Sequence, residues 1–280
     1  LFRSQSDGIK SLLAMSKEPV YDSRMEELTF GKEVENLEIT LHQHALTITD
    51  SLDDQIHISY HPSLSAHHDL ITNQNDKTLS LTDKKLSETP FLSSGIGGIL
   101  HIASSYSRRF EEVILQVPKG RSLKGINVSA NRGQTTIINA SLENATLNTN
   151  GYLLRIEGSR IKNSKFKTPN IINIFDTDLT DSQLESTEKH FHAENIKVYG
   201  KVELSSKNAL SIMLTQKESQ EINLDLSSHH GPIYQLSRDE SQRHPNELSN
   251  PYKTEKTDAK GQLIAKADDY ISLETTANRP

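Results

Sequence analysis

Histidine pairs are the residues of this 280-residue chain whose type and spacing most readily suggest chemistry. His42 and His44, and likewise His190 and His192, stand two positions apart, so that on a strand each pair projects from one face. Two imidazoles on one face can bind a metal ion if a nearby carboxylate completes the set, and they can also sense pH. The alternative is a solvated polar face, which Phe191, pointing away from its two neighbours, favours. We therefore predict no metal site and no cofactor.

Three carboxylates close together, at Asp176, Asp178 and Asp181, raise a second chemistry. Paired carboxylates hydrolyse glycosidic bonds, but sugar-processing sites also use aromatic platforms. Aromatic residues make up 5% of this chain, and Trp is absent. Aspartate is also a common turn former, and that is the role we predict here, with no catalytic residue in the chain.

A glycine-rich stretch between two predicted strands superficially resembles a phosphate-binding loop. It lacks the Lys-Ser/Thr pair of such loops, and no helical pattern follows it. Its apolar residues are expected either to pack on the fold or to contact a partner or a membrane surface. The predicted partner-contact loop consists of Gly95, Ile96, Gly97, Gly98, Ile99 and Leu100.

The charge balance argues against nucleic acid as a partner. The chain carries 31 Lys and Arg against 37 Asp and Glu, a net charge of −6, without a basic stripe interleaved with aromatics. Cys is absent, which excludes disulfides and thiolate sites. No apolar run reaches the roughly 18–20 residues that a membrane-spanning helix needs. Because the chain begins at Leu1, we expect an export signal or membrane anchor to lie upstream.

The elements that position these residues are mostly strands. The hydrophobic fraction of 34% is too low for a thick core and favours a thin one lined by aliphatic residues. Residues 1–27 are expected to hold a short helix near Asp7, residues 235–258 an exposed loop, and residues 276–280 a frayed tail. A single β domain is predicted over 28–275. Apolar and polar residues alternate, as strands require, at Leu37–Leu41, Leu46–Ile48, Ile56–Tyr60 and Val113–Val117.

A repeat of 18–19 residues predicts how the strands stack. Leu142, Ile161 and Leu179 each open a unit, and a second apolar residue follows five positions later, at Leu147, Phe166 and Leu184. A unit this small cannot bury an apolar face unless it packs on its neighbours. The predicted fold is therefore an all-β parallel solenoid of short two-strand rungs, right-handed by the crossover rule.

The same segments carry a family resemblance. The alternating stretch NLEITLHQHALTITDSLDDQIHISY, the strand EEVILQVPKG and rungs such as INVSANRGQTTI and LENATLNTNGYLLRI resemble the bacterial "putative adhesin" domains of unknown function, over roughly residues 28–275. That resemblance implies a β-solenoid on the outer side of the membrane in Gram-positive bacteria, linked with envelope stress. It supplies no catalytic residue. The turns of this chain, such as Asn150-Gly151, depart from the Ser-Gly-Asp type of many relatives.

Three functions are compatible with these patterns. We expect a non-enzymatic, extracytoplasmic binding or scaffold module of the cell envelope, whose partner is an envelope protein or a glycan. The first alternative is a structural solenoid that assembles through its exposed strand edges. The second is a carbohydrate-active β-helix enzyme.

Overall fold

The computed structural model describes residues 25–42, 44–60, 70–83, 112–119, 121–236 and 245–277. In these residues, 26 strands and one short helix follow one another along the chain. The strands are organised as rungs that stack mainly in parallel, because each rung buries its aliphatic residues against the next. This confirms the predicted fold class.

The N-terminal part of the chain forms two rungs and covers their outer edges. Its strands are β1 (Glu26–Phe30), β2 (Asn36–Leu41), β3 (Ala45–Asp50), β4 (Ile56–Tyr60), β5 (Leu70–Asn75), β6 (Thr78–Asp83) and β7 (Glu112–Val117). β2 pairs in parallel with β6, and β3 with β7. β5 then lies antiparallel on β6, β4 antiparallel on β7, and β1 antiparallel on β4. The outermost rung, β6 and β7, is therefore closed off by antiparallel strands.

The central part of the chain forms the repeating rungs. Its strands are β8 (Gly125–Ala130), β9 (Gln134–Ile138), β10 (Ser141–Glu143), β11 (Ala145–Thr149), β12 (Leu153–Glu157), β13 (Arg160–Lys162), β14 (Lys165–Thr168), β15 (Ile171–Phe175), β16 (Asp178–Thr180), β17 (Gln183–Ser186), β18 (Phe191–Glu194), β19 (Lys197–Ser206) and β20 (Leu210–Thr215). A first sheet runs through β9, β12, β15, β18 and β20, and a second through β8, β11, β14, β17 and β19. A third, narrower sheet contains β10, β13, β16 and the start of β19. Each central rung thus has three strands where the sequence indicated two.

The third strand arises from a corner that the apolar pattern does not reveal. Asn144, Asn163, Asp181 and Gly200 separate the third sheet from the second, and all four have positive φ, between 46° and 61°. Asn, Asp and Gly are the residues that tolerate this left-handed conformation. The Asn163 side-chain amide also donates to the Asn144 side-chain oxygen on the neighbouring rung. These asparagines therefore act both as turn formers and as a ladder.

The buried columns follow the repeat. Leu142 pairs with Ile161, and Ile161 with Leu179, in the parallel register of the third sheet. In the second sheet Leu147 pairs with Phe166, and Phe166 with Leu184. All six side chains are buried. Each layer of the core is thus only a few side chains thick and depends on the layers above and below it.

The C-terminal part of the chain completes the stack out of sequence order. Its elements are α1 (Gln216–Glu221), β21 (Ile222–Ser228), β22 (Ile233–Leu236), β23 (Asn246–Leu248), β24 (Tyr252–Lys253), β25 (Gly261–Ala267) and β26 (Ile271–Thr276). β25 inserts between β19 and β21, and β26 between β20 and β22. β25 and β26, the last two strands of the chain, therefore lie inside the stack, and the short antiparallel strands β23 and β24 lie at its end.

α1 starts at a capping box that the strand-dominated sequence pattern did not indicate. Thr215 Oγ1 accepts a hydrogen bond from the Glu218 backbone N–H at 3.2 Å, and the Glu218 carboxylate accepts one from the Thr215 N–H at 2.9 Å. Both donors would otherwise lack an intrahelical partner. The box therefore fixes the point at which the chain leaves β20.

Several predictions concern residues at the margins of the described structure. The helix near Asp7 lies outside the described residues, and so does the partner-contact loop from Gly95 to Leu100. Within the loop predicted over 235–258, the described part from residue 245 is largely exposed but contains β23 and β24. The predicted tail at 276–280 begins at the last residue of β26, Thr276, which pairs with Thr215.

Candidate functional site

The first histidine pair lies at a corner, where the carboxylate of Asp83 fixes the backbone of both residues. His44 and Asp83 are both buried, and His44 Nδ1 lies 2.8 Å from Asp83 Oδ2. The same carboxylate accepts hydrogen bonds from the backbone N–H of His42 at 2.6 Å and of His44 at 3.2 Å. Both histidines follow the end of β2, so they do not share a strand face. The carboxylate of Asp83 therefore holds the turn between β2 and β3.

The second pair lies at the start of β18, on the first sheet. His190 is exposed, and His192 Nε2 lies 3.6 Å from the Glu194 carboxylate. Phe191 between them points into the core, with 1% of its surface exposed. Among the described residues, no group of three or more His, Asp or Glu side chains is arranged to hold a metal ion. The geometry of this pair is that of a polar strand face.

Of the three aspartates considered for glycoside hydrolysis, Asp176 and Asp181 lie at corners of the rungs and Asp178 begins β16. Asp176 accepts a hydrogen bond from the Asn195 side-chain amide at 2.9 Å, and Asp181 accepts one from the backbone N–H of Lys201 at 3.0 Å. Asp176 and Asp181 both have positive φ. Asp178 lies 3.5 Å from the Lys197 ammonium group. Each carboxylate therefore has a structural partner.

A cleft of about 420 Å³ is the strongest candidate site in the described part of the chain. It lies between the β7–β8 connection and β10, the edge strand of the third sheet. Clefts of a few hundred Å³ are typical of small-ligand sites. The described residues that line it are Val117, Pro118, Lys119, Arg121, Ser122, Leu123, Ile126, Ser141, Leu142, Glu143, Arg160 and Lys162.

The wall formed by the β7–β8 connection is held by the turn that precedes β2. Pro118 ends β7, because it has no N–H to continue the ladder. Arg121 Nη1 then donates to the backbone carbonyls of Lys32 at 2.8 Å and Val34 at 2.7 Å. The Lys124 backbone N–H donates to the Glu35 carbonyl at 2.8 Å. These hydrogen bonds hold the described part of the connection beside β10, and the cleft lies between the connection and this strand.

The floor of the cleft is apolar. Val117, Leu123, Ile126 and Leu142 are core side chains whose edges reach the cleft, and each is at most 4% exposed. Leu142 belongs to the column of rung residues singled out by the repeat. Because these side chains already expose little surface, an apolar ligand group in the cleft would gain chiefly by removing its own surface from water.

Arg121 carries the most unusual electrostatic feature of the site. Its Nε and Nη2 are buried and have no hydrogen-bond partner among the residues that the structure describes. These two nitrogens form one edge of the guanidinium group, the edge that Arg155 uses to bind Glu157 elsewhere in the chain. Leaving buried donors of a cation unpaired costs free energy. The edge is therefore suited to a pair of anionic oxygens.

The rim of the cleft is positively charged. Lys119 is exposed, and the Arg160 side chain is 79% exposed and lies 3.9 Å from its nearest carboxylate, Asp178. Glu143 is the one carboxylate among the described lining residues. Lys162 at 2.8 Å and Ser122 at 2.7 Å bond to it, and these contacts, Lys162 first, lower the pKa of Glu143. With Glu143 neutralised by Lys162, the remaining cations give the cleft a net positive charge.

The partner-contact loop predicted at Gly95–Leu100 lies outside the described residues. The sequence patterns do not predict the cleft. Lys119 and Arg121 lie in the short basic segment PKGRSLKG at 118–125, which is the signal that the sequence offered. Arg160 lies almost two rungs further along the chain and shows no such signal. The structure brings the three cations together because β13 stacks directly on β10.

The described residues include no helix that is long and apolar enough to cross a membrane. A family model described as Toastrack DUF4097 matches residues 34–274. No curated protein matches the sequence.

Solved structures with similar strand arrangements include three bacterial proteins. A "putative adhesin" from Bacteroides fragilis is 14% identical over 91% of this chain and 98% of its own, with a TM-score of 0.43. A "putative cell adhesion protein" from Clostridium sporogenes is 11% identical over 90% of this chain and 99% of its own, with a TM-score of 0.33. A "putative lipid binding protein" from Parabacteroides distasonis is 9% identical over 92% of this chain and 95% of its own, with a TM-score of 0.34.

Proposed function

The chain belongs to the Toastrack DUF4097 family, and we propose that it is a non-enzymatic binding module of the bacterial cell envelope, exposed outside the cytoplasm. Its partner is an envelope component that enters the cleft beside β10. The observation that carries this proposal is one cleft with an apolar floor and a cationic rim, lined by Arg121, whose guanidinium edge has no partner among the described residues. Nucleic acid is not proposed as a partner, because the chain as a whole is acidic.

The arrangement of carboxylates supports a role in binding over one in catalysis. Asp176 and Asp181 accept hydrogen bonds at the corners of the rungs, and Asp178 faces two cations. In the cleft, Glu143 is held by Lys162 and Ser122. A general acid and base pair for glycoside cleavage needs two carboxyl groups that face the same bond. No such pair lines the described part of the cleft.

The ends of the stack oppose the alternative of a self-assembling solenoid. A parallel rung with a bare edge would pair readily with a second copy. Here β5 and β4 lie antiparallel on the outer rung at one end, and β24 and β23 do so at the other. A second copy would have to pair with these covering strands and not with the parallel rungs. We therefore expect a monomer.

Co-sedimentation with washed bacterial envelopes tests the binding proposal. The wild-type chain is expected to sediment with the envelopes, and the double variant Lys119→Glu/Arg160→Glu is expected to stay in solution. Lys165→Glu changes one exposed lysine on the second sheet, away from the cleft, and should sediment as the wild type does. Absence of binding by the wild type, or equal binding by all three proteins, would contradict the proposal.

Two further measurements test the cellular location and the absence of catalysis. Protease treatment of intact cells should release peptides of this chain if it is exposed on the outside. Recovery of intact protein after lysis of protease-treated cells would contradict that location. A screen of envelope glycans, followed by mass spectrometry, should show no products. Turnover that is lost in Asp176→Asn or Asp178→Asn would establish the enzymatic alternative.

A further inference from the structure

We propose that the cleft beside β10 binds a small organic anion in which a phosphate or carboxylate group is attached to a short alkyl chain. This inference rests on the proposed binding function and specifies the chemical class of its ligand. Such a group can belong to a free metabolite or to the head of an anionic lipid, and the experiment below separates the two sources.

The free edge of Arg121 indicates that the ligand carries an anionic group. Arg121 Nη1 is occupied by the carbonyls of Lys32 and Val34, which orient the guanidinium group. The opposite edge, Nε and Nη2, presents two parallel N–H donors that have no acceptor in the described part of the chain. Phosphate and carboxylate groups each offer two oxygens at the spacing of this edge. Because both nitrogens are out of contact with solvent, binding requires a small shift of the Arg121 side chain or of the β7–β8 connection.

The carboxylate of Glu33 does not take this place. Glu33 interacts electrostatically with Arg121. Its carboxylate accepts hydrogen bonds from the Gly31 backbone N–H at 3.2 Å and from the Gln74 side chain at 3.4 Å. No hydrogen bond joins it to the free edge of Arg121. The edge is therefore available to an external anion.

The apolar floor of the cleft indicates that the ligand also carries an alkyl group. Val117, Leu123, Ile126 and Leu142 border the cleft and supply no polar side-chain group. These side chains are themselves almost fully buried, so the gain comes chiefly from the methylene groups of the ligand, each of which contributes about 0.8 kcal/mol when it leaves water. A fully polar anion such as inorganic phosphate has no methylene group to bury. The volume of about 420 Å³ suits a ligand of this size.

The charge of the rim favours the approach of anions to the cleft. Lys119 and Arg160 stand at the mouth of the cleft on a chain whose net charge is −6. A local positive potential on an acidic protein attracts anions to this position and repels them elsewhere. Because the rim cations are exposed, their contribution should weaken as the salt concentration rises.

Isothermal titration calorimetry with hexyl phosphate, inorganic phosphate and hexanol tests the proposal on the whole chain. Hexyl phosphate should bind at least about tenfold more tightly than either of the others, because it alone offers both the anion and the alkyl group. Vesicles of phosphatidylglycerol, compared with vesicles of phosphatidylcholine, form the second arm. Binding of hexyl phosphate alone identifies a free ligand, whereas matching binding to phosphatidylglycerol vesicles identifies a lipid headgroup; both outcomes support the proposal.

Variants locate the binding. Arg121→Lys keeps the charge but loses the two-donor edge and should lower the affinity for hexyl phosphate about tenfold or more. Lys119→Glu/Arg160→Glu, which leaves the Arg121 hydrogen bonds intact, should lower it by a similar factor and weaken its salt dependence. Lys165→Glu reverses one exposed charge outside the lining of the cleft and should stay within about twofold. Thermal melting of each variant separates a loss of binding from a loss of folding.

Three results would overturn the proposal: no heat with hexyl phosphate, equal affinity for hexyl and inorganic phosphate, or an equal loss in the Lys165→Glu control. These results are distinguishable from failure of the proposed function. If the wild-type chain sediments with envelopes and Lys119→Glu/Arg160→Glu does not, but hexyl phosphate gives no heat, the ligand class is wrong and the binding module stands. If hexyl phosphate binds in the cleft but envelopes do not, the site stands and the envelope role is wrong.

Discussion

The side-chain amide of Asn163 donates to the side-chain oxygen of Asn144 on the neighbouring rung, and both residues have positive φ, of 48° and 57°. One residue type thus meets two requirements at this corner. It adopts the left-handed conformation that turns the chain from the third sheet to the second, and it links adjacent rungs.

Substitutions at Asn163 separate these two contributions. Asn163→Gly keeps the conformation and loses the amide bond, so it should lower the free energy of unfolding by about 0.5–1.5 kcal/mol. Asn163→Ala also loses the amide but keeps a Cβ at positive φ, without the short polar side chain that lets Asn tolerate this conformation, and should cost about 1–2 kcal/mol more than Asn163→Gly. Urea denaturation followed by circular dichroism measures both. Equal stability of the two variants would show that the positive φ at position 163 costs alanine no free energy.

Phe166 tests the thin core. It is buried in the column between Leu147 and Leu184, where each layer has few side chains to close a cavity. Phe166→Ala should lower the free energy of unfolding by about 3–5 kcal/mol. Its exposed neighbour provides the control, since Lys165→Ala should change stability by less than about 0.5 kcal/mol. A thermal shift of similar size for the two variants would contradict the assignment of Phe166 to the core.

Asp53 gives the fold a defined response to acid. Hydrogen bonds from the Gln55 backbone N–H, the Ser51 hydroxyl and the His57 ring lower the pKa of Asp53 from 3.8 to about 2. The carboxylate is easier to ionise in the folded chain, so its contribution is complete above the unfolded value. That contribution is lost as the pH falls through about 2.

Comparison of the wild type with Asp53→Asn isolates this effect. The wild type should be more stable at pH 7, and the difference should shrink as the pH is lowered from about 4 to about 2. Thermal melting at a series of pH values, at constant ionic strength, measures the difference. A difference that stays constant across this range would show that the ionised carboxylate of Asp53 contributes nothing.

The antiparallel strands at the C-terminal end are predicted to keep the chain monomeric. β24 pairs with β21 through Tyr252 and Lys253, and β23 pairs with β22. Replacing residues 245–254 with a Gly/Ser segment of equal length removes both strands and leaves the edge of the outer rung bare. Light scattering after size exclusion should then show association that increases with concentration.

The same replacement at residues 237–244 leaves β23 and β24 in place and serves as the control, which should elute as a monomer. Self-association of the wild-type chain would instead favour the self-assembling alternative. A monomeric variant without β23 and β24 would show that these strands do not protect the end.

The repeat made the stacking predictable, because Leu142, Ile161 and Leu179 have no means of being buried except against one another. The corner at Asn144 was not predictable from hydrophobicity, since apolar residues continue on both sides of it. The insertion of β25 between β19 and β21 depends on pairings between distant segments, which local patterns do not encode. The cleft escaped notice for the same reason, because Arg121 and Arg160 become neighbours only once β13 stacks on β10.

Both the fold and the position of the cleft depend on one claim, that successive rungs stack in register. Asn127, Thr146 and Lys165 occupy equivalent exposed positions on three consecutive rungs, and Thr146 pairs with each of the other two. Adjacent rungs are about 4.8 Å apart, which permits a disulfide, whereas alternate rungs are about twice as far apart, which does not. The chain has no native Cys to interfere.

Oxidation of the double variants Thr146→Cys/Lys165→Cys and Asn127→Cys/Lys165→Cys, followed by mass measurement of the intact chain, tests this register most directly. If successive rungs stack in register, the first variant should form an intramolecular disulfide and the second should keep free thiols. Free thiols in the first variant, or equal cross-linking in both, would contradict the stacked register and with it the assignment of the cleft.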